Sequence, residues 1–466
     1  MKHIIKKIGI FALFVALVTG CEKWIDPEIN VSPNNPDDVT MNVLLSSTQA
    51  AVAYVYGGEM SRYPAIWMQH VSGVTRQSFA TENYTVLNSD INNLWNTLYG
   101  GALMNLKVLE NKAAEVDAKH YLGMSLVMQA FAFKNITSVW GDVPYSEAFK
   151  AADGITAPSY DTQQQIYSTI DQLLTDALAL FAQSNPAGIP RPGVDDIIYK
   201  GDIEKWQKLA RSLKVRAALH LAKRNGYGPV RDLINAGGLM ESNADDFQFV
   251  FGAASNEWNP RFQFDDDRGD VRVGKKIVDL MLDVDDPRLS KYFYLTEIEE
   301  DDETFDVFLG SGPGEGNEDA SFIGPGYASQ NSPVFFFNYF ELKFIEAEAF
   351  FGFDNEVSAT AYNEAVKASL AKHGVSDPDW EDEYANEDEN SITFEKIMTA
   401  KYIAMFHSLE TWTDWRRTGI PELVIPDASA IPETPRRFLY PLDELLYNAD
   451  NVPDHSAISR VWWDVE

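Results

Sequence analysis

The sequence predicts a mostly α-helical scaffold, built of paired medium-length helices, that carries an irregular lobe rich in loops. Three observations carry this expectation. Apolar residues recur at helical spacing over several segments of 12 to 22 residues. Short linkers join those segments in pairs, although no strict 34-residue repeat is found. Two long stretches, near 62–92 and 237–333, lack such stripes and are rich in Gly, Asp, Asn and aromatic residues.

In chain order, Tyr121 to Val139 reads as an apolar helix that ends in a turn, Trp140-Gly141-Asp142-Val143-Pro144-Tyr145. From Gln163 to Phe181, Ile166, Ile170, Leu174, Ala177 and Phe181 share one face, with Asp161 or Thr162 as N-cap. Trp206, Leu209, Leu213 and Ala217 form a stripe behind the cap-like Asp202. Helices are expected over 338–351, 357–373 (stopped by Gly374) and 392–408. Within 237–333 one helix is expected, near Val273–Leu282, among loops and short strands. Six prolines between 420 and 466 keep the C-terminal region largely non-repetitive.

The chain has 466 residues, 45% of them hydrophobic and 12% aromatic, enough for a sizeable core. Its formal charge of -32 argues against nucleic acid, whose phosphates such a surface would repel. A single cysteine excludes an intramolecular disulfide. Lys2, Lys6 and Lys7, the apolar run Ile8 to Val18, and Val18-Thr19-Gly20-Cys21 follow the order of a lipoprotein signal. On this reading residues 1–20 are a signal peptide, Cys21 carries the lipid, and 21–40 form a tether rich in Pro, Asn and Asp. Cleavage removes three lysines and no acids, taking the charge from -32 to -35. A single domain is expected over 41–466, with loop-rich insertions near 62–92 and 237–333.

Motifs of catalysis are missing. There is no G-x-S-x-G, H-E-x-x-H or P-loop, and the seven histidines are dispersed singly, so neither an enzyme nor a cofactor or metal site is expected. Asp265 to Asp270 reads as an acidic surface turn rather than a calcium loop, and Glu381 to Glu389 as a solvated linker. Gly310 to Gly316 reads as a flexible loop. Arg416 and Arg417, among tryptophans in an acidic chain, suit a structural arginine–carboxylate core better than an anion site.

Taken together, several segments resemble the SusD/RagB family of nutrient-binding outer-membrane lipoproteins of Bacteroidetes. They are Cys21, Gly-Asp-Val-Pro-Tyr at 141–145, the region from Arg268-Gly269-Asp270 to Asp286-Pro287-Arg288-Leu289, and Glu-Ala-Glu-Ala at 346–349. Asp414-Trp415-Arg416-Arg417-Thr418-Gly419 and Arg436-Arg437-Phe438-Leu439-Tyr440-Pro441 complete the set, in the form of the SusD-like branch of unassigned substrate. The resemblance implies tetratricopeptide-like helix pairs packed against the loop-rich lobe. It also implies a non-enzymatic protein, lipid-anchored in the outer membrane and facing the cell exterior. Such a protein hands an oligosaccharide, or in some members a peptide, to a SusC-like TonB-dependent barrel. A helical-repeat adaptor that binds only proteins is the reading from another class.

For the ligand, sugar C–H faces stack on Trp or Tyr while Asn, Gln and Arg bind hydroxyls. The irregular stretches offer Trp67, Gln69, Arg76, Tyr84, Trp258, Asn259, Arg261, Phe322 and Tyr327 as candidate binding residues. The acidity favours neutral oligosaccharide over polyanionic glycan.

Overall fold

The computed structural model describes residues 39–300 and 302–466. The expected signal peptide, Cys21 and the expected tether through residue 38 lie outside the described residues. Among the described residues no helix is long and apolar enough to cross a membrane.

The scaffold is built on Lys119–Trp140, a 22-residue helix buried on nearly every face from Tyr121 onward. Such a helix needs neighbours all round. Met104–Glu115 lies against it on one side and Gln163–Phe181 on another. Gly123 permits the second contact, since a Cβ there would stand 2.5 Å from the Phe181 ring. Gln163–Phe181 starts at a reciprocal capping box. The Gln165 amide donates to the Thr162 hydroxyl at 3.4 Å, and the Thr162 amide donates to the Gln165 side chain at 3.0 Å. Asp161, the other cap candidate, instead accepts from the Tyr145 and Ser146 amides at 2.8 Å each and so pins the Gly-Asp-Val-Pro-Tyr turn. Ile203–His220 begins at Asp202, whose carboxylate accepts from the Glu204 and Lys205 amides. A further pair, Tyr339–Phe350 and Asn355–Lys372, packs together, and Gly374 follows it at φ +66°.

The core between helix ends is ionic as well as aromatic. Trp140, Trp206, Trp412 and Trp463 are fully buried. Arg417 forks onto Glu348 at 2.7 and 3.0 Å and also reaches Asp414 at 2.6 Å, while Lys401 holds the other Asp414 oxygen at 2.7 Å. Arg417 therefore fulfils the expected structural pairing. Arg416 differs: it donates to the Ser138 and Arg436 carbonyls and lies 3.8 Å over Trp412.

The loop-rich lobe contains three antiparallel two-stranded ribbons, Val71–Gly73 with Val271–Val273, Phe247–Val250 with Pro333–Phe337, and Thr296–Glu300 with Glu303–Val307. It is also more helical than its composition predicts. Ser61–Trp67 and Arg76–Glu82 interrupt the first irregular stretch, and Pro260–Arg268 the second. The last overturns the reading of Asp265 to Asp270 as a surface turn. Asn259 caps this helix by accepting from the Arg261 and Phe262 amides, Pro260 occupies its first turn, and Gly269 ends it at φ +63°. Three consecutive aspartates masked a start signal that tertiary packing completes. Part of the acidic run from Glu381 is likewise helical, in Pro378–Tyr384 behind the Asp377 cap, rather than a solvated linker.

Candidate functional site

A cleft of about 360 Å³ opens where the two irregular stretches meet. The Val71–Gly73 and Val271–Val273 ribbon joins those stretches at register Val71 opposite Val273. One wall comes from the Tyr56–Met60 turn, a wider-than-α winding broken at Gly58 with φ -94° and ψ -118°. Gly57 in this turn is needed because a Cβ would collide with Val334 and press on Pro260. Arg62, one turn on, lays its guanidinium 3.9 Å over the Phe264 ring and stands 3.7 Å from Glu59. The facing wall is the Pro260–Arg268 helix, which contributes Arg261, Gln263, Phe264 and Asp265. Tyr54, 50% exposed, stands at the rim with Asn93 and Thr97.

Two groups at this cleft are buried without a hydrogen-bond partner, the Arg261 Nε and the His407 Nδ1. His407 also holds φ +63°, an uncommon conformation for a side chain of its size, and its amide donates to His70 Nδ1 at 2.9 Å. Burial and the neighbouring Arg261 keep the His407 imidazole well below its usual pKa, hence neutral. Burial likewise lowers Arg261 to about 10, and it raises Asp265 to about 7 against the pull of Arg261, Arg272 and Arg62. The cleft thus combines two aromatic rings, amide and guanidinium donors, and carboxyl acceptors. That set suits hydroxyl recognition and contains no nucleophile–base pair. Among the described residues no three His, Cys, Asp or Glu side chains gather as a metal site.

Of the nine candidates read from sequence, only Arg261 lines this cleft. Trp67 is buried edge-on against Trp412 and Phe438, and Tyr327 is buried against Tyr292 and Phe406. Tyr84 is buried with its hydroxyl 3.2 Å from Thr434, and Gln69 donates to the Val424 carbonyl at 2.6 Å. Asn259 is spent on the helix cap described above. These five are taken up by core packing, by a helix cap or by a backbone carbonyl. Trp258 is half-buried, its indole donating to the Ala253 carbonyl. Arg76 donates to the Arg268 carbonyl next to the cleft, and Phe322, 45% exposed, lies beneath the Arg272 guanidinium at 3.7 Å. Tyr54, Arg62, Asn93 and Phe264 escaped the sequence reading. The Asn259-Pro260 helix start would have placed Phe264 one turn in, on the side of Pro260; nothing in the sequence marks Tyr54.

The family model for SusD-like proteins, described as starch-binding and associating with the outer membrane, matches residues 33–441. A solved structure of a chitin-binding protein is 25% identical, with a TM-score of 0.76 over 92% of this chain and 100% of that one. A SusD/RagB family protein from Bacteroides thetaiotaomicron is 22% identical, with a TM-score of 0.74 over 92% of this chain and 99% of that one. A chitin-binding SusD homolog from Flavobacterium johnsoniae is also 22% identical, with a TM-score of 0.74 over 91% of this chain and 99% of that one. No curated protein matches the sequence.

Proposed function

Because the chain belongs to the SusD-like family, we propose that it captures a neutral oligosaccharide in the cleft lined by Arg62, Arg261 and Phe264 and delivers it to a SusC-like TonB-dependent barrel. One observation carries the assignment of the site: Arg261 and His407 keep buried, unpartnered nitrogens beside the cleft's aromatic rings. An unmet buried polar group costs about 1–3 kcal/mol, which a ligand hydroxyl would recover. The formal charge of -32 supports a neutral cargo over an anionic one. The lipoprotein order ending at Cys21 supports a lipid anchor, and the family description, associating with the outer membrane, supports that membrane as its place.

Calorimetric titration with maltotetraose and with the N-acetylglucosamine tetramer tests the site. Arg62→Ala and Phe264→Ala should each weaken the tetramer that binds by about tenfold, or roughly 1.4 kcal/mol. Equal affinity in both variants and the parent removes this cleft from the reading. Cys21→Ala should move the protein from the membrane to the soluble fraction, and continued retention would refute the anchor. Purification of the native protein should bring the barrel with it; recovery without one counts against delivery.

A further inference from the structure

A second, larger cleft of about 680 Å³ lies away from the first, between Pro378–Tyr384, Phe394–Ala404 and the Asp286-Pro287-Arg288 corner. Its size falls within the roughly 300–1,000 Å³ of small-ligand sites. Trp380 and Tyr384, one helical turn apart, line it as a pair with ring centroids 5.0 Å apart and planes inclined by 34°. The Trp380 indole donates to the Val284 carbonyl at 2.7 Å, which fastens this short helix to the neighbouring corner.

The lining carries five carboxyls, Asp283, Asp286, Glu383, Glu387 and Glu395, against two cations, Arg288 and Lys396. Both cations are already engaged. Arg288 forks onto Asp286 at 2.9 and 2.5 Å, and Lys396 reaches Glu387 Oε1 at 2.6 Å. What remains is an excess of negative charge around an aromatic wall.

Glu387 is the group that points to a ligand. Its side chain is 9% exposed, and its Oε2 is buried with no hydrogen-bond partner. Its backbone is fixed on both sides by Asn363, whose amide group donates to the Glu387 carbonyl and accepts from the Glu387 amide, each at 2.8 Å. The carboxylate is therefore held in place with one oxygen unanswered. A metal ion does not suit the excess charge, since no three ligating side chains converge among the described residues. An organic ammonium does: it would supply the missing donor to Oε2 while its ring or chain lies on the Trp380–Tyr384 pair.

We propose that this cleft is a second glycan-binding site, selective for sugars bearing a free amine, with Glu387 Oε2 receiving the ammonium and Trp380 stacking on the sugar ring. Such a site separates charged from neutral cargo on one chain, because the first cleft has no comparable excess of unpaired acids beside its arginines.

The test is calorimetric titration of the full chain with the β-1,4-linked glucosamine tetramer and, as the neutral counterpart, its fully N-acetylated form. Glu387→Gln keeps the size and an acceptor for Lys396; Glu383→Gln alters the exposed rim and serves as a variant with little bearing on folding. The glucosamine tetramer should bind saturably. Its affinity should fall at least tenfold in Glu387→Gln and Trp380→Ala, fall less in Glu383→Gln, and stay unchanged in Arg62→Ala. The N-acetylated tetramer should be indifferent to Glu387→Gln. Absence of saturable binding, equal affinity in parent and Glu387→Gln, or a loss caused by Arg62→Ala instead would each overturn the proposal.

Discussion

Two buried glutamates show how differently the helical scaffold and the loop-rich lobe treat charge. In the scaffold, Glu410 is ringed by cations and donors. Lys134 pairs with one oxygen, and His220 Nε2 lies 2.8 Å from the other. Burial alone would raise its pKa, but Lys134, His220 and Arg216 hold it well below the usual range. His220 is itself lowered to about 3, mainly by burial, so it is neutral; Nε2 donates to Glu410 and Nδ1 accepts from the Tyr167 hydroxyl. In the lobe, Glu82 has only neutral donors, the Gly73 amide at 3.0 Å and Ser72 hydroxyl at 3.3 Å, with the Gly314 amide at 3.4 Å. With no cation beside it, burial pushes Glu82 up to about 8. The scaffold answers this buried charge with cations from other helices and thereby fixes helix against helix. The lobe answers its own with neutral donors alone, so the carboxyl keeps its proton.

The sharpest way to break this contrast is to remove an anion from the scaffold. Glu348→Ala would leave Arg417 with Asp414 alone and strip the Tyr227 hydroxyl of its 2.8 Å acceptor. Loss of one partner from a buried pair costs about 3–5 kcal/mol, so the urea midpoint should drop sharply. A loss below about 1 kcal/mol would mean the network is replaceable.

In the lobe, the informative variant is Glu82→Gln, read against pH. The folded chain keeps the Glu82 proton up to about 8, whereas the unfolded chain releases it near 4.5. The folded state therefore binds more protons across that interval, and this group's stabilisation is complete below about 4.5 and is lost as pH rises toward about 8. Denaturation at several pH values should show the parent losing stability relative to Glu82→Gln over this window. A constant difference would mean that Glu82 does not titrate there.

The smallest effect belongs to neither region's interior. Lys275 and Asp279 pair at 2.8 Å across one helical turn, but both side chains are about half exposed. Lys275→Ala should change stability by no more than about 0.5 kcal/mol, and a larger loss would blur the distinction between buried and surface pairs.

The scaffold was legible in the sequence to within a few residues. Gln163–Phe181 matches its predicted bounds because a capping box and an uninterrupted apolar face agree. Phe394–Ala404 is shorter than the predicted 392–408, since Thr393 caps the start and the helix ends before Phe406. The candidate site was much less legible. Aromatic residues look alike in sequence, whether they close over a core as Trp67 and Tyr327 do or stand at a rim as Tyr54 does. Likewise an acidic run does not reveal which of its members is buried. Glu387 differs from the exposed Glu383 only through Asn363 and Lys396, which come from other segments.

What the sequence determined by itself was the helical class, most helix ends, the paired role of Arg417, and the motifs that carry the family resemblance. These depend on local spacing, on capping chemistry, or on a cation's need for carboxylates in a dry interior. Only the tertiary structure decided which polar atoms go unanswered. That depends on where distant segments meet: Val71–Gly73 with Val271–Val273 beside the first cleft, and Asn363 with Glu387 at the second. Burial and hydrogen-bond partnership are properties of the assembled neighbourhood rather than of the residue, so they cannot be read along the chain.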